Sequence, residues 1–395
     1  MSRGREGSAF LRGQRRIWPF STERSTKTKD QEPRQRTTDQ GPMTTTPGTH
    51  TLSEILSEPQ CWADCLLDLQ KSGEAETALQ RLPPRSDWLF IGCGSSFYIA
   101  QAAASSWTAL TGQRARAVPA SELLLFPGLV TSGPPCQPVL ISRSGHTSEV
   151  LKAAEYLESK ENVRVLAITC VDGQPLEKIS TATLHMLAAD EQSMVMTRSF
   201  TCMLLGLQVL AATAGKQSVF LESLERIPAL AQTALDPLPS RIRQFIDGHH
   251  FADYVFLGQG PFYGVACESM LKVKEMSCSY AQCFHTLEFR HGPKSIVSSE
   301  TLLTFLLSES GYGAEREVLE EVKGLGGTTV VVTNRADHAA RRAADFLVEL
   351  NLDVGEYARL TTYLLTGQLL GLFTGLKKGF DPDRPRNLSR AVVLE

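Results

Sequence analysis

The chain has 395 residues, 42% of them hydrophobic, and a formal net charge of -3, enough length and apolar content for one large globular domain or two ordinary ones. Its near-neutral balance lacks the basic field of a nucleic-acid binder, and no run approaches the ~18 apolar residues of a membrane span, which leaves small molecules or proteins as partners. The nine cysteines are odd in number, with no C-x-x-C pair and no His at ligand spacing, which reads as buried thiols in a reducing, cytoplasmic compartment and suggests no metal.

Residues 1–50 read as a disordered tail. The first 42 are rich in Arg, Ser, Thr and Gln without a helical apolar stripe. Glu6, Glu23, Asp30, Glu32 and Asp39 argue against a transit peptide, and no apolar signal core is present, leaving a tail or an upstream start with Met43 as the true beginning.

Beyond it, apolar strand-like runs alternate with longer amphipathic ones: DWLFIG then SSFYIAQAAASSW, PVLIS then TSEVLKAAEYLESK, then VRVLAIT. This rhythm predicts an α/β fold with a parallel sheet. DWLFIGCGSSFYIA, from Asp87, also aligns with DYVFLGQGPFYGVA, from Asp253, at an offset of 166 (253 − 87). The same offset (308 − 142) lays Ser142-Arg143-Ser144-Gly145 on Ser308-Glu309-Ser310-Gly311. The expected architecture is therefore two tandem, duplicated, doubly wound units of flavodoxin-like or Rossmann-like type, at 51–215 and 240–385. A helical linker at 216–239 joins them, and 386–395 forms a tail.

Ligands of such sheets bind beyond the carboxyl ends of the strands. In Gly92-Cys93-Gly94-Ser95-Ser96 two glycines permit a tight turn, and two hydroxyls open the next helix. Phe97 stands where a dinucleotide fingerprint needs its third glycine, so no nucleotide cofactor is expected. Ser142-Arg143-Ser144-Gly145-His146-Thr147-Ser148 gathers hydroxyls and a guanidinium at a helix N-terminus. The residues suit an anion cradle or a plain helix cap, and Glu309 in the second copy would repel phosphate. GVACESMLKVKEMSCSYAQ sets Glu268, Lys272 and Glu275 at i, i+4 and i+7, on one helix face, either as an ordinary surface ion-pair array or as a cluster at the ligand edge. Gly292-Pro293 fixes a turn after His291, and Arg290 and Lys294 surround that histidine with positive charge.

Together CGSS, SRSGHT, ESMLKVKE, EFRHGPKS and PRNLSRAVVLE resemble the tandem sugar isomerase (SIS) family, in particular the isomerase half of glucosamine-6-phosphate synthase without its glutaminase domain. EFRHGPKS is also similar to the galactosamine-6-phosphate deaminase/isomerase branch. The resemblance implies phosphate contacts from Ser96, Ser142, Ser144 and Thr147 with Ser95 nearby, and a C-terminal tail over the site. It implies Glu275 as the base moving a proton between C1 and C2, Lys272 as the cation at the reacting oxygen or nitrogen, and Glu268 and Arg390 among the substrate-binding residues. His291 becomes the ring opener, donated across a homodimer. Arg143 stands where the synthase has Gln; an Arg there resembles the deaminase branch and would bind phosphate at least as well. Arg390 stands where the synthase has a Lys, and a guanidinium cannot form an imine.

The resemblance implies an isomerising deaminase of glucosamine-6-phosphate or galactosamine-6-phosphate, with no cofactor. The same site could run in synthesis with free ammonia or as a plain aldose/ketose isomerase. A non-catalytic sugar-phosphate sensor is the reading of another class. Such a sensor needs only the phosphate loops, whereas Glu275, Lys272 and His291 together suit catalysis.

Overall fold

The computed structural model describes residues 46–394. The expected disordered tail lies outside these up to residue 45, and helix begins at Thr49, inside the range read as tail. Among the described residues no helix is long and apolar enough to cross a membrane.

Three helices, α1 (Thr49–Leu56), α2 (Glu58–Ser72) and α3 (Glu74–Arg81), precede the first sheet. Then come β1 (Asp87–Gly92), α4 (Ser95–Thr111), β2 (Arg114–Pro119), the short α5 (Ala120–Leu125) and α6 (Pro127–Thr131), β3 (Cys136–Ile141) and α7 (Ser148–Lys160). β4 (Leu166–Thr169), α8 (Pro175–Ile179), β5 (Ala182–His185) and α9 (Arg198–Ala214) complete the first unit. After α10 (Ser218–Leu235) and α11 (Leu238–Gly248) the pattern repeats with β6 (Asp253–Gly258), α12 (Pro261–Ser277), β7 (Tyr280–His285) and β8 (Thr301–Leu306). It closes with α13 (Tyr312–Gly324), β9 (Thr328–Thr333), α14 (His338–Ala343), β10 (Phe346–Glu349) and α15 (Leu360–Lys377).

Both sheets have five strands, in the orders β2-β1-β3-β4-β5 and β7-β6-β8-β9-β10, and every pairing is parallel. After Asp87 and Asp253 the central strands β1 and β6 are buried throughout, as strands covered by helices on both faces must be. Strand order reverses beside β1 and β6, which opens a crevice at their carboxyl ends. The duplication extends to single dihedral angles. Gly94 (φ 55°, ψ −126°) and Gly260 (φ 55°, ψ −129°) adopt the same conformation, one that side chains rarely permit.

The two units share a seam where α4 crosses α12. A Cβ on Gly264 would lie 2.6 Å from the Tyr98 carbonyl oxygen and 2.8 Å from the Ala102 nitrogen, so the backbones nearly touch. On its other side α12 meets α15, where a Cβ on Gly371 would lie 2.7 Å from the Lys272 carbonyl. Gripped from both sides, α12 is buried over most of its length. The helix carrying the three charges ends at Ser277: Cys278 turns left-handed at φ 49°, and the chain continues as β7.

Candidate active site

On α12, Lys272 Nζ lies 3.1 Å from Glu268 Oε1 and 2.5 Å from Glu275 Oε2. The side chains of Glu268 and Lys272 are 0% exposed and that of Glu275 is 16% exposed. This is no surface ion-pair array. Removing either partner leaves an uncompensated buried charge, whereas an exposed pair contributes almost nothing. Across the seam, Ser95 Oγ donates to Glu268 Oε1 at 3.0 Å, so the opening residue of α4 joins the first copy to the acid–base face of the second. Glu268 Oε2 is buried without a partner among the described residues.

Burial pushes the Glu268 carboxyl up to about 7, opposed by the Lys272 charge and reinforced by Glu275. Burial pulls Lys272 down, but the carboxylates of Glu268 and Glu275 outweigh it and hold the ammonium above its ordinary range. The result is an ammonium held between two acids, of which only Glu275 reaches accessible surface. The set can move a proton on a bound molecule and steady negative charge forming beside it.

The loops after β1 and β3 are neighbours, because these strands pair directly, Ile91 opposite Leu140. Ser95 and Ser96 are buried at the start of α4. Ser142 Oγ and Thr147 Oγ1 lie 3.1 Å apart, and Ser144 Oγ accepts from the His146 amide at 3.2 Å. The hydroxyls singled out in the sequence thus lie at or just before the N-termini of α4 and α7, where the helix dipoles favour an anion.

Arg143 departs from expectation. Its Nη1 lies 2.8 Å from Glu191 Oε1, and its Nη2 donates to the carbonyls of Met194 and Arg390, each at 3.0 Å. With its side chain 5% exposed against a fully buried Glu191, the guanidinium is committed to a structural ion pair rather than offered to a ligand. Sequence reading missed Glu191, which also accepts from the Thr197 amide and hydroxyl and the Ser199 amide and hydroxyl. It thereby ties the loop after β3 to the start of α9. No spacing could have signalled it, since it sits 48 residues from Arg143 (191 − 143) in irregular chain.

Arg390 pairs with Asp190, not with the acid–base face. The tail that carries it runs along the start of α7: the Ser148 amide donates to the Val392 carbonyl at 3.1 Å, and the Leu394 amide to Ser148 Oγ at 2.9 Å. His291 is exposed beyond β7, between 3₁₀ turns at Glu288–Arg290 and Pro293–Ile296. It has no side-chain partner among the described residues and is not joined to the α12 cluster. The positive surroundings expected for it are partly offset. Arg290 Nε donates to Glu321 Oε2 at 2.9 Å, and Lys294 bonds the other oxygen of the same carboxylate from α13.

In the second copy an internal carboxylate fills the corresponding loop. Glu356 Oε1 accepts from the amides of Glu309 (2.6 Å) and Ser310 (3.2 Å), and Oε2 accepts from Ser310 Oγ (2.6 Å). Glu309 pairs with Arg359 at 2.7 Å. Burial raises the Glu309 carboxyl, but Arg359 and Asn334 outweigh it and hold the group below its usual range.

A family description, SIS domain, matches residues 85–213 and 253–372. The chain belongs to the SIS domain family. Among curated relatives, the glutamine–fructose-6-phosphate aminotransferase (isomerizing) of Methanothermobacter thermautotrophicus is 25% identical over 353 residues, 87% of this chain and 57% of the relative. The Vibrio cholerae protein of the same name is 29% identical over 321 residues, 77% of this chain and 51% of its own. This SIS-family chain therefore spans little more than half the length of those relatives. Among solved structures, a glucosamine-6-phosphate deaminase from Thermotoga maritima has TM-score 0.72 at 28% identity, covering 88% of this chain and all of that one. The tagatose-6-phosphate ketose/aldose isomerase of Escherichia coli, TM-score 0.75 at 23% identity over 89% of this chain and 98% of that one, shares the fold.

Proposed function

We propose that this SIS-family chain is an isomerising deaminase of an amino-sugar 6-phosphate, working as a cytoplasmic homodimer. The observation that carries the reading is Glu275, a carboxylate at the edge of a buried Glu268–Lys272 pair and linked through Ser95 to the first copy's hydroxyl loops. Ser95, Ser96, Ser142, Ser144 and Thr147 hold the phosphate. His291, exposed and without a side-chain partner among the described residues, reaches the neighbouring subunit's site and opens the sugar ring. Glu275 then carries a proton from C2 to C1 while Lys272 steadies the charge on the adjacent oxygen. The C2 imine so formed takes up water and divides into ketone and ammonia. Binding energy at the remote phosphate goes into positioning, and the base itself is typically worth about 10² to 10⁴ in rate.

Support comes from the deaminase name of the Thermotoga maritima structure, and from Arg390 standing where an imine-forming Lys would serve synthesis. The test is ammonia and ketose-phosphate release from glucosamine-6-phosphate and galactosamine-6-phosphate offered in parallel. Release from one epimer that Glu275→Gln abolishes supports the proposal. Binding without release from either epimer, together with amino-sugar formation from ketose phosphate and free ammonia, would replace it with the synthetic direction.

A further inference from the structure

Away from the active site, three sulfurs distant in sequence meet in the first copy. α2 carries Cys61 and Cys65 one turn apart, and α9 brings Cys202 against them. Their Sγ atoms all lie within 4.8 Å of one another, those of Cys61 and Cys202 at 3.4 Å, and all three side chains are buried. Spacing concealed the group, because Cys202 follows Cys65 by 137 residues (202 − 65) and joins it only through helix packing. Cys267 and Cys283, with sulfurs 3.0 Å apart, form a pair without a third member.

We propose that Cys61, Cys65 and Cys202 bind one thiophilic d10 cation, Zn(II) or Cu(I), through three metal–sulfur bonds. With bonds of about 2.3 Å, sulfurs around a shared ion stand roughly 3.8 to 4.0 Å apart, against 3.4 Å for Cys61 and Cys202 and an upper limit of 4.8 Å for the trio. Closing the site therefore needs only small side-chain rotations. An all-sulfur donor set selects soft ions over Mg(II) or Ca(II), which take oxygen ligands. Each new bond replaces an S–H bond and releases its proton to solvent, with no change in oxidation state. Three thiolates leave a net charge of −1 on Zn(II) and −2 on Cu(I), partly offset by Arg198, whose charge acts on Cys61. The ion fastens α2 to α9, three residues along from Ser199 and its Glu191 contact, so it stiffens the helix that supports the loop after β3.

The reduced full-length chain is loaded with Zn(II) or Cu(I) in separate arms and desalted. One equivalent retained per chain in either arm is expected and identifies the ion, and Co(II) loading should give a sulfur-to-cobalt charge-transfer band. Cys202→Ser should lose both the equivalent and the band, while Cys267→Ser keeps them. X-ray absorption on the loaded wild-type chain should show a sulfur shell, which decides the matter even where Cys202→Ser fails to fold. No retained equivalent in either arm, a nitrogen–oxygen shell, or unchanged retention in a folded Cys202→Ser protein overturns the proposal.

Discussion

The two copies of the duplicated unit share a backbone and divide its chemistry. On α12 the second copy carries Glu268, Lys272 and Glu275, whereas 166 residues earlier α4 has Ala102, Ser106 and Ala109. In the loops the asymmetry runs the other way. The first copy's Ser142, Ser144 and Thr147 open helix N-termini in the crevice, while Glu356 occupies the equivalent amides of the second copy with a carboxylate of the chain itself. A fold-level repeat thus specifies where a site can form, and a few side chains decide which half of it each copy builds.

The sharpest way to probe that division is Glu275→Gln. Turnover should fall by about 10² to 10⁴ with sugar-phosphate binding nearly intact, measured as kcat beside a binding isotherm. Weak binding at normal turnover would break the assignment. Next is Arg143→Ala, which leaves Glu191 buried and unpaired and should cost about 3–5 kcal/mol in urea unfolding. An unchanged midpoint with a raised KM would return Arg143 to the ligand. Gly264→Ala drives a methyl into the α4 backbone at the seam and should cost about 1–3 kcal/mol.

Glu268 offers a pH test. Its carboxyl, raised from 4.5 to about 7, binds its proton more tightly folded than unfolded. Its contribution to stability therefore declines as pH rises from about 4.5 to 7, and Glu268→Gln should flatten that stretch of the unfolding profile. The smallest effect is expected of Glu356→Gln, about 1 kcal/mol of stability with kcat unchanged. A marked loss of activity would mean that the second copy's loop takes part in the reaction.

The doubled sheet was legible because strand and loop recur at one offset, and the α12 face because helical periodicity sets three charges in line. What the sequence did not reveal depends on partners brought in by packing. Glu191 claims Arg143 from irregular chain, Glu321 binds both Arg290 and Lys294 from the next helix, and Cys202 reaches Cys61 and Cys65 only through α2 and α9. Burial, too, could not be read locally. The Glu268–Lys272 spacing is that of countless surface pairs, and it is the grip of α4 and α15 that takes it out of water.

Gly264 carries a consequence for motion. With α12 seated on the backbone of α4, the two sheets have no jaw to open, because separating them would tear Ser95 from Glu268 and expose a buried ion pair. The last described residues of the chain are held far more lightly. They rest on α7 through two hydrogen bonds at Ser148, with one solvent-facing ion pair at Asp190 and the Arg390 carbonyl on Arg143, contacts of the kind that open locally while the rest of the fold stays closed.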